Sequence, residues 1–149
     1  MKYKYLLLSV VLLVCLSACK KDSKTVGPGV TIAAKWFVTK EASELYFNGA
    51  QISSFIDTTY TSVDFVEYYN DGSGYYSKYS STGPSLSEFT YTLKGSALMQ
   101  FDSPENAGVP ETITNLTANS LSIHAVYEIV DPNNPNQTDT EIDDLTYKR

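Results

Sequence analysis

The sequence predicts an all-β domain, a single up-and-down antiparallel barrel of about eight strands that follows an N-terminal leader. Three observations carry this expectation. The 149 residues include 12 tyrosines and 6 phenylalanines, and Thr, Ser, Val and Ile recur among them, the residue types that suit a half-buried pleated surface. From Lys35 onward no stretch keeps a 3.6-residue apolar period over three turns. Short alternating segments stand between turn residues instead, the pattern of a barrel or sandwich.

The leader is read first, because it is set aside before the fold is considered. Met1 to Tyr5 carries Lys2 and Lys4, and Leu6 to Leu16 is apolar apart from Ser9. That run falls short of the roughly 20 residues a spanning helix needs, and it fits the apolar region of a secretory signal. Leu16-Ser17-Ala18-Cys19 resembles the bacterial lipobox, in which cleavage falls between Ala18 and Cys19 and lipid is joined to the thiol. The expected divisions are a removed signal peptide (1–18), a lipidated cysteine with a flexible tether (19–33) and a barrel domain (34–149). The tether includes the Gly27-Pro28-Gly29 break. Lys20, Lys21 and Asp22 stand either as a sorting signal or as ordinary linker. The implied address is the cell envelope, on a membrane reached through acyl chains and expected to be the outer one.

Cysteine and charge then narrow the function classes. Cys15 leaves with the signal and Cys19 is acylated, so the domain keeps no thiol for disulfides, nucleophilic catalysis or metal ligation. The full chain has 11 basic and 17 acidic residues. Removing Lys2 and Lys4 leaves nine basic against the same 17 acidic, a formal charge of −8. An acidic surface without a basic patch argues against nucleic acid and against electrostatic adhesion to anionic headgroups.

The elements follow in order. Lys35 to Lys40 opens the domain, and Leu45 to Ile52, with Asn48-Gly49 inside it, reads as an irregular excursion. Tyr60 to Tyr69 is a long aromatic strand. Asn70-Asp71-Gly72-Ser73-Gly74 is a strong hairpin signal, expected as a type I′ turn at Asp71-Gly72. Tyr75 to Tyr79 follows, and Gly83-Pro84 is expected to break pairing within a loop over 80–86. Phe89, Tyr91 and Leu93 alternate with polar residues, Gly95-Ser96 turns the chain, and Ala97 to Phe101 is the next strand. A polar loop runs from Asp102 to Pro110. Glu111 to Thr117 pairs across Ala118-Asn119 with Ser120 to Val130, where Leu121, Ile123, Ala125, Tyr127 and Ile129 share a face. A polar loop over 131–140 leads to a last strand, Glu141 to Arg149.

Taken in this order, the chain resembles the lipocalin-like domains of small bacterial lipoproteins. The residues that carry the resemblance are Lys35-Trp36-Phe37, Tyr69 to Gly74, Phe89 to Gly95, Ile113 to Ile123 and the closing Lys148-Arg149. Ala34 stands where classical lipocalins often place a glycine. The resemblance implies a barrel whose first and last strands pair, with Arg149 covering the Trp36 indole at the closed end. It also implies a ligand entering at the open end, between loops such as 80–86 and 102–110.

No catalytic set stands out in the sequence. His124 is the only histidine and alternates away from Leu121 and Ile123. No nucleophile elbow is present, and Asp143 and Asp144 point to opposite faces of a strand. The Asp/Asn-rich run 131–144 departs from a helix-loop-helix calcium loop at Asn136 and Ile142. No enzyme, metal or cofactor is expected. The candidate pocket lining is aromatic: Phe65, Tyr69, Tyr75, Phe89, Tyr91, Phe101 and Tyr127. Two readings stand. One is non-catalytic carriage of a small apolar or amphipathic molecule. The other is a structural or interaction lipoprotein whose barrel is packed solid.

Overall fold

The structure, a computed structural model, describes residues 30–103, 107–131 and 134–149. The leader, Ala18, Cys19 and the tether as far as Gly29 lie outside the described residues. Nine strands and, among the described residues, no helix make up the fold. They are β1 (Lys35–Phe47), β2 (Ala50–Asp57), β3 (Phe65–Tyr68), β4 (Ser73–Ser80), β5 (Gly83–Lys94), β6 (Ala97–Phe101), β7 (Val109–Leu116), β8 (Ser120–Asp131) and β9 (Asn134–Lys148). All neighbours are antiparallel, and β9 pairs back onto β1, so β1 and β3 to β9 form a closed ring of eight. The expected fold class is correct, with one strand added.

That extra strand, β2, lies outside the ring. One edge of β1 pairs with β9 over Phe37–Phe47; the other is shared by β3 at Lys35–Phe37 and by β2 at Glu41–Phe47. Pairing between β7 and β8 stops at Glu111 and Ala125, whereas β8 and β9 stay paired to Asp131 and Asn134. The far halves of β2, β1, β9 and β8 therefore continue past the rim as a four-stranded extension.

The core fills the opposite end. Trp36 is 0% exposed, and Ile32, Leu98, Leu121 and Ile123 are fully buried around it. Ile32 moves the domain boundary: the expected tether to residue 33 ends earlier, because Ile32 packs in the core and its carbonyl accepts the Trp36 indole N–H at 2.7 Å. A buried indole N–H needs such an acceptor, and the chain before β1 supplies it.

Local chemistry accounts for the other departures. Asn48 (φ +49°) and Gly49 (φ +77°) are both left-handed between paired Phe47 and Ala50. This is the type I′ hairpin, and the expected irregular excursion is two strands. At Asp71-Gly72 only Gly72 is left-handed, with φ +85°. The Asp71 carboxylate accepts from Ser73 N and Oγ at 2.9 and 2.6 Å, and Gly72 N–H donates to the Tyr69 carbonyl. That side-chain bond holds Asp71 out of the left-handed region, so the turn is type I with a glycine bulge and not type I′. Gly83 and Pro84 do not break pairing; they sit in β5 opposite Ser80 and Tyr79, where β6 has not yet begun and Pro84 costs no ladder bond. Most of the expected loop 131–140 is strand, since β9 starts at Asn134; the side chains of 130–138 lie outside the described residues. Of the expected strand 60–69 only Phe65–Tyr68 is ladder, because the chain turns at Asp64.

Candidate functional site

A partly open cavity of about 320 Å³ lies on the rim side of the core. Its buried hydrophobic lining is Val66, Tyr68 and Tyr147; Tyr76, Gln100 and Tyr127 stand around them. Four carboxylates, Glu41, Asp64, Glu111 and Asp143, also line it, with Tyr60 and the exposed Lys78.

The backbone determines how β1 supplies its share. Val38 and Glu41 line the same cavity although their positions differ in parity, which uninterrupted strand alternation forbids. The β1–β9 register slips between Val38 and Lys40, leaving Thr39 as an extra residue whose hydroxyl donates to the Thr146 carbonyl at 2.9 Å. This bulge turns Glu41 and Ser43 inward. No slip occurs in β9 across Asp143, Leu145 and Tyr147, so the carboxylate follows the core side chains in phase. Glu111 likewise shares the phase of the buried Ile113.

The four carboxylates have different surroundings. Asp64, 5% exposed, accepts from Thr61 N and Oγ1, both at 2.8 Å, and from Tyr79 N at 2.7 Å. Burial pushes its pKa up, but these bonds together outweigh burial and hold it below the ordinary carboxylate value. Glu41 accepts the Tyr60 hydroxyl. Glu111 is pushed up to about 7 by burial, with Asp102 adding repulsion, and its Oε2 is buried with no donor from the protein. Asp143 is also raised, by burial first, and its Oδ1 has no partner. The Tyr127 phenol is raised by burial and then by the charges of Glu111, Asp143, Glu141 and Glu41, so these groups converge on one space. Tyr68 and Tyr147 are raised chiefly by burial.

Of the seven aromatic residues expected to line a pocket, Phe65 and Tyr127 border this cavity. Tyr69, Tyr75, Phe89 and Phe101 meet elsewhere, along a surface groove beside β4 and β5. Phe89 is at the same time a core residue. Tyr91 lines neither; its hydroxyl donates to the Tyr69 carbonyl and its ring stands edge-on to Tyr68 at 5.0 Å. On the outer wall Phe37, Phe65 and Tyr75 stack edge to face, with Lys35 Nζ 3.3 Å from the Phe65 centroid. Trp36 and Arg149 meet at the closed end, away from the cavity, with the guanidinium 5.2 Å from the ring. His124 is outside the barrel, 2.9 Å from Asp144. Tyr60, Tyr68 and Tyr76 come from the tyrosine-rich stretch around the β3–β4 hairpin but are not among those seven, nor are Tyr147 and the carboxylates, although Glu111 and Asp143 are in phase with neighbours on their strands that face inward.

Fold and site together define a small closed meander barrel with a partly open, tyrosine-lined, acidic chamber. The chain matches no protein-family model, no curated protein and no solved structure.

Proposed function

We propose that this chain is a lipid-anchored lipoprotein of the cell envelope whose lipocalin-like barrel binds a small amphipathic molecule without chemical change. The cavity is the observation that carries the binding reading. Its volume of about 320 Å³ lies near the lower end of small-molecule sites, and aromatic walls with a few polar groups are what such sites use. The anchor rests on Leu16-Ser17-Ala18-Cys19 behind a basic, apolar leader. Two measurements test the reading. Native mass spectrometry of the full chain, drawn gently from membranes, is expected to show a co-purifying small molecule; an empty spectrum from every growth condition counts against binding. Labelling with a radioactive fatty acid is expected for the wild type and lost in Cys19→Ser, and equal labelling of both removes the anchor.

A second reading, an interaction lipoprotein, is favoured by β2. It is an outer strand with, among the described residues, no further neighbour, and Ile52 and Ile56 are 57% and 67% exposed. Crosslinking from position 54 in intact cells tests it: one discrete adduct supports a protein partner, and none removes it.

A further inference from the structure

The barrel interior holds polar groups that the protein leaves without a hydrogen-bond partner. Asp64 is occupied by three donors from Thr61 and Tyr79, and Glu41 by Tyr60. The charge of Lys78, on the exposed side, acts on Asp57 and Asp64. Glu111 Oε2 and Asp143 Oδ1 remain, both buried and both without a protein donor. Two tyrosine hydroxyls, each a donor as well as an acceptor, are left over beside them. Tyr68 and Tyr147 line the cavity at 2% and 7% exposure, and among the described residues neither hydroxyl makes a hydrogen bond.

The unpaired carboxylate oxygens and the negative charge around them discriminate among ligand classes. An anion meets Glu41, Glu111 and Asp143 and is repelled. A purely apolar body fills the volume but leaves two buried carboxylate oxygens and two phenols unpaired, which is unfavourable. A group with several N–H donors and a positive charge satisfies the carboxylates, and tyrosine faces attract a cation on their own account.

We propose that the chamber takes an organic cation: a primary or secondary ammonium on a small aromatic or aliphatic body, its nitrogen between Glu111 and Asp143 and its body against Tyr68, Tyr76 and Tyr147. The inference rests on the small-molecule reading above and names the ligand class for that same site. At roughly 30 Å³ per water-sized portion, the volume accommodates a body of about ten non-hydrogen atoms.

Three probes of nearly equal shape test the charge: 2-phenylethylammonium, the neutral 2-phenylethanol, and phenylacetate. Each is titrated calorimetrically into the full-length chain in a non-ionic detergent at pH 8. The ammonium is expected to bind roughly tenfold or more tighter than the alcohol, with no binding of the carboxylate. Glu111→Gln and Asp143→Asn, each shown folded by circular dichroism, are expected to lower ammonium affinity by about tenfold and leave the alcohol unchanged. Asp144→Asn, on the outer face beside His124, is expected to change neither. If the alcohol binds as tightly as the ammonium, the cation inference falls and the small-molecule reading stands. If no probe binds and native mass spectra are empty, both fall.

Discussion

The guanidinium of Arg149, the residue after β9, lies 5.2 Å from the ring of Trp36, the second residue of β1, so the contact joins the two strands whose pairing closes the barrel. Arg149 also reaches the carbonyls of Ala118 and Ala33, and its backbone N–H donates to the Asn119 carbonyl. The indole is fully buried and its N–H is used by Ile32. Three substitutions separate these contributions in urea melts. Trp36→Ala is expected to cost roughly 3–5 kcal/mol, through lost burial and a cavity. Trp36→Phe keeps most of the mass but leaves the Ile32 carbonyl unpaired, at about 1–3 kcal/mol. Arg149→Ala, from an exposed position, is expected to cost about 0.5–1 kcal/mol. An Arg149→Ala loss as large as that of Trp36→Ala contradicts this order.

Two glycines give opposite expectations. At Gly74 a Cβ would stand 2.5 Å from the Glu67 carbonyl oxygen and 2.5 Å from Phe89 Cζ. The backbone oxygen cannot yield without opening the β3–β4 ladder, so Gly74→Ala is expected to cost roughly 2–3 kcal/mol or more. At Gly49 nothing lies within 4 Å, and only the left-handed φ opposes a side chain. Gly49→Asn, a residue that accepts this conformation, is expected to stay within about 0.5 kcal/mol of wild type. Chemical denaturation of both variants checks the contrast; equal losses refute it.

The barrel was legible because alternation and turn residues repeat along the chain and point to the same period. Phe89 and Leu121-Ile123-Ala125 took their inward places for that reason. The site was less legible because it depends on exceptions to the period. A bulge at Thr39 brings Glu41 to the face of Val38, and no local residue type announces it. Tyrosine identity alone does not separate Tyr75, which donates outside to Glu67, from the adjacent Tyr76 inside. Glu111 and Asp143 were readable in principle, since each stands two residues from a buried or part-buried hydrophobic residue on its strand; their acidity made solvent look the natural destination.

Asp64 holds the corner before β3. Its buried carboxylate accepts from the backbone N–H groups of Thr61 and Tyr79 and from the Thr61 hydroxyl, which ties the turn before β3 to the end of β4. Asp64→Ala is expected to cost roughly 2–4 kcal/mol at pH 7. The folded pKa is depressed, so this contribution is present above the unfolded value near 3.8 and is lost as pH falls through the lower folded value. Melting temperatures of wild type and variant should therefore converge on strong acidification. A gap that stays constant from pH 7 down to pH 2 contradicts the assignment.

Glu111 predicts the reverse slope. Its folded pKa, about 7, lies above the unfolded value of 4.5, with burial the main cause and Asp102 the next. Tyr68, Tyr127 and Tyr147 face it from β3, β8 and β9, and as phenols raised above 10 they do not titrate in this range. Between pH 4.5 and 7 the folded protein holds a proton that the unfolded chain has released. Stability from this group is therefore greatest below 4.5, falls as pH rises to about 7 and is level beyond it. The full span is at most about 3 kcal/mol. Asp143, raised by its own burial, adds in the same direction at lower pH. Glu111→Gln carries no titrating proton, so its urea midpoint should lack that decline and exceed the wild type above pH 7. A wild-type midpoint that climbs from pH 5 to 7, with Glu111→Gln climbing in parallel, would mean that the carboxylate is solvated and that the chamber lacks the buried negative charge its geometry requires.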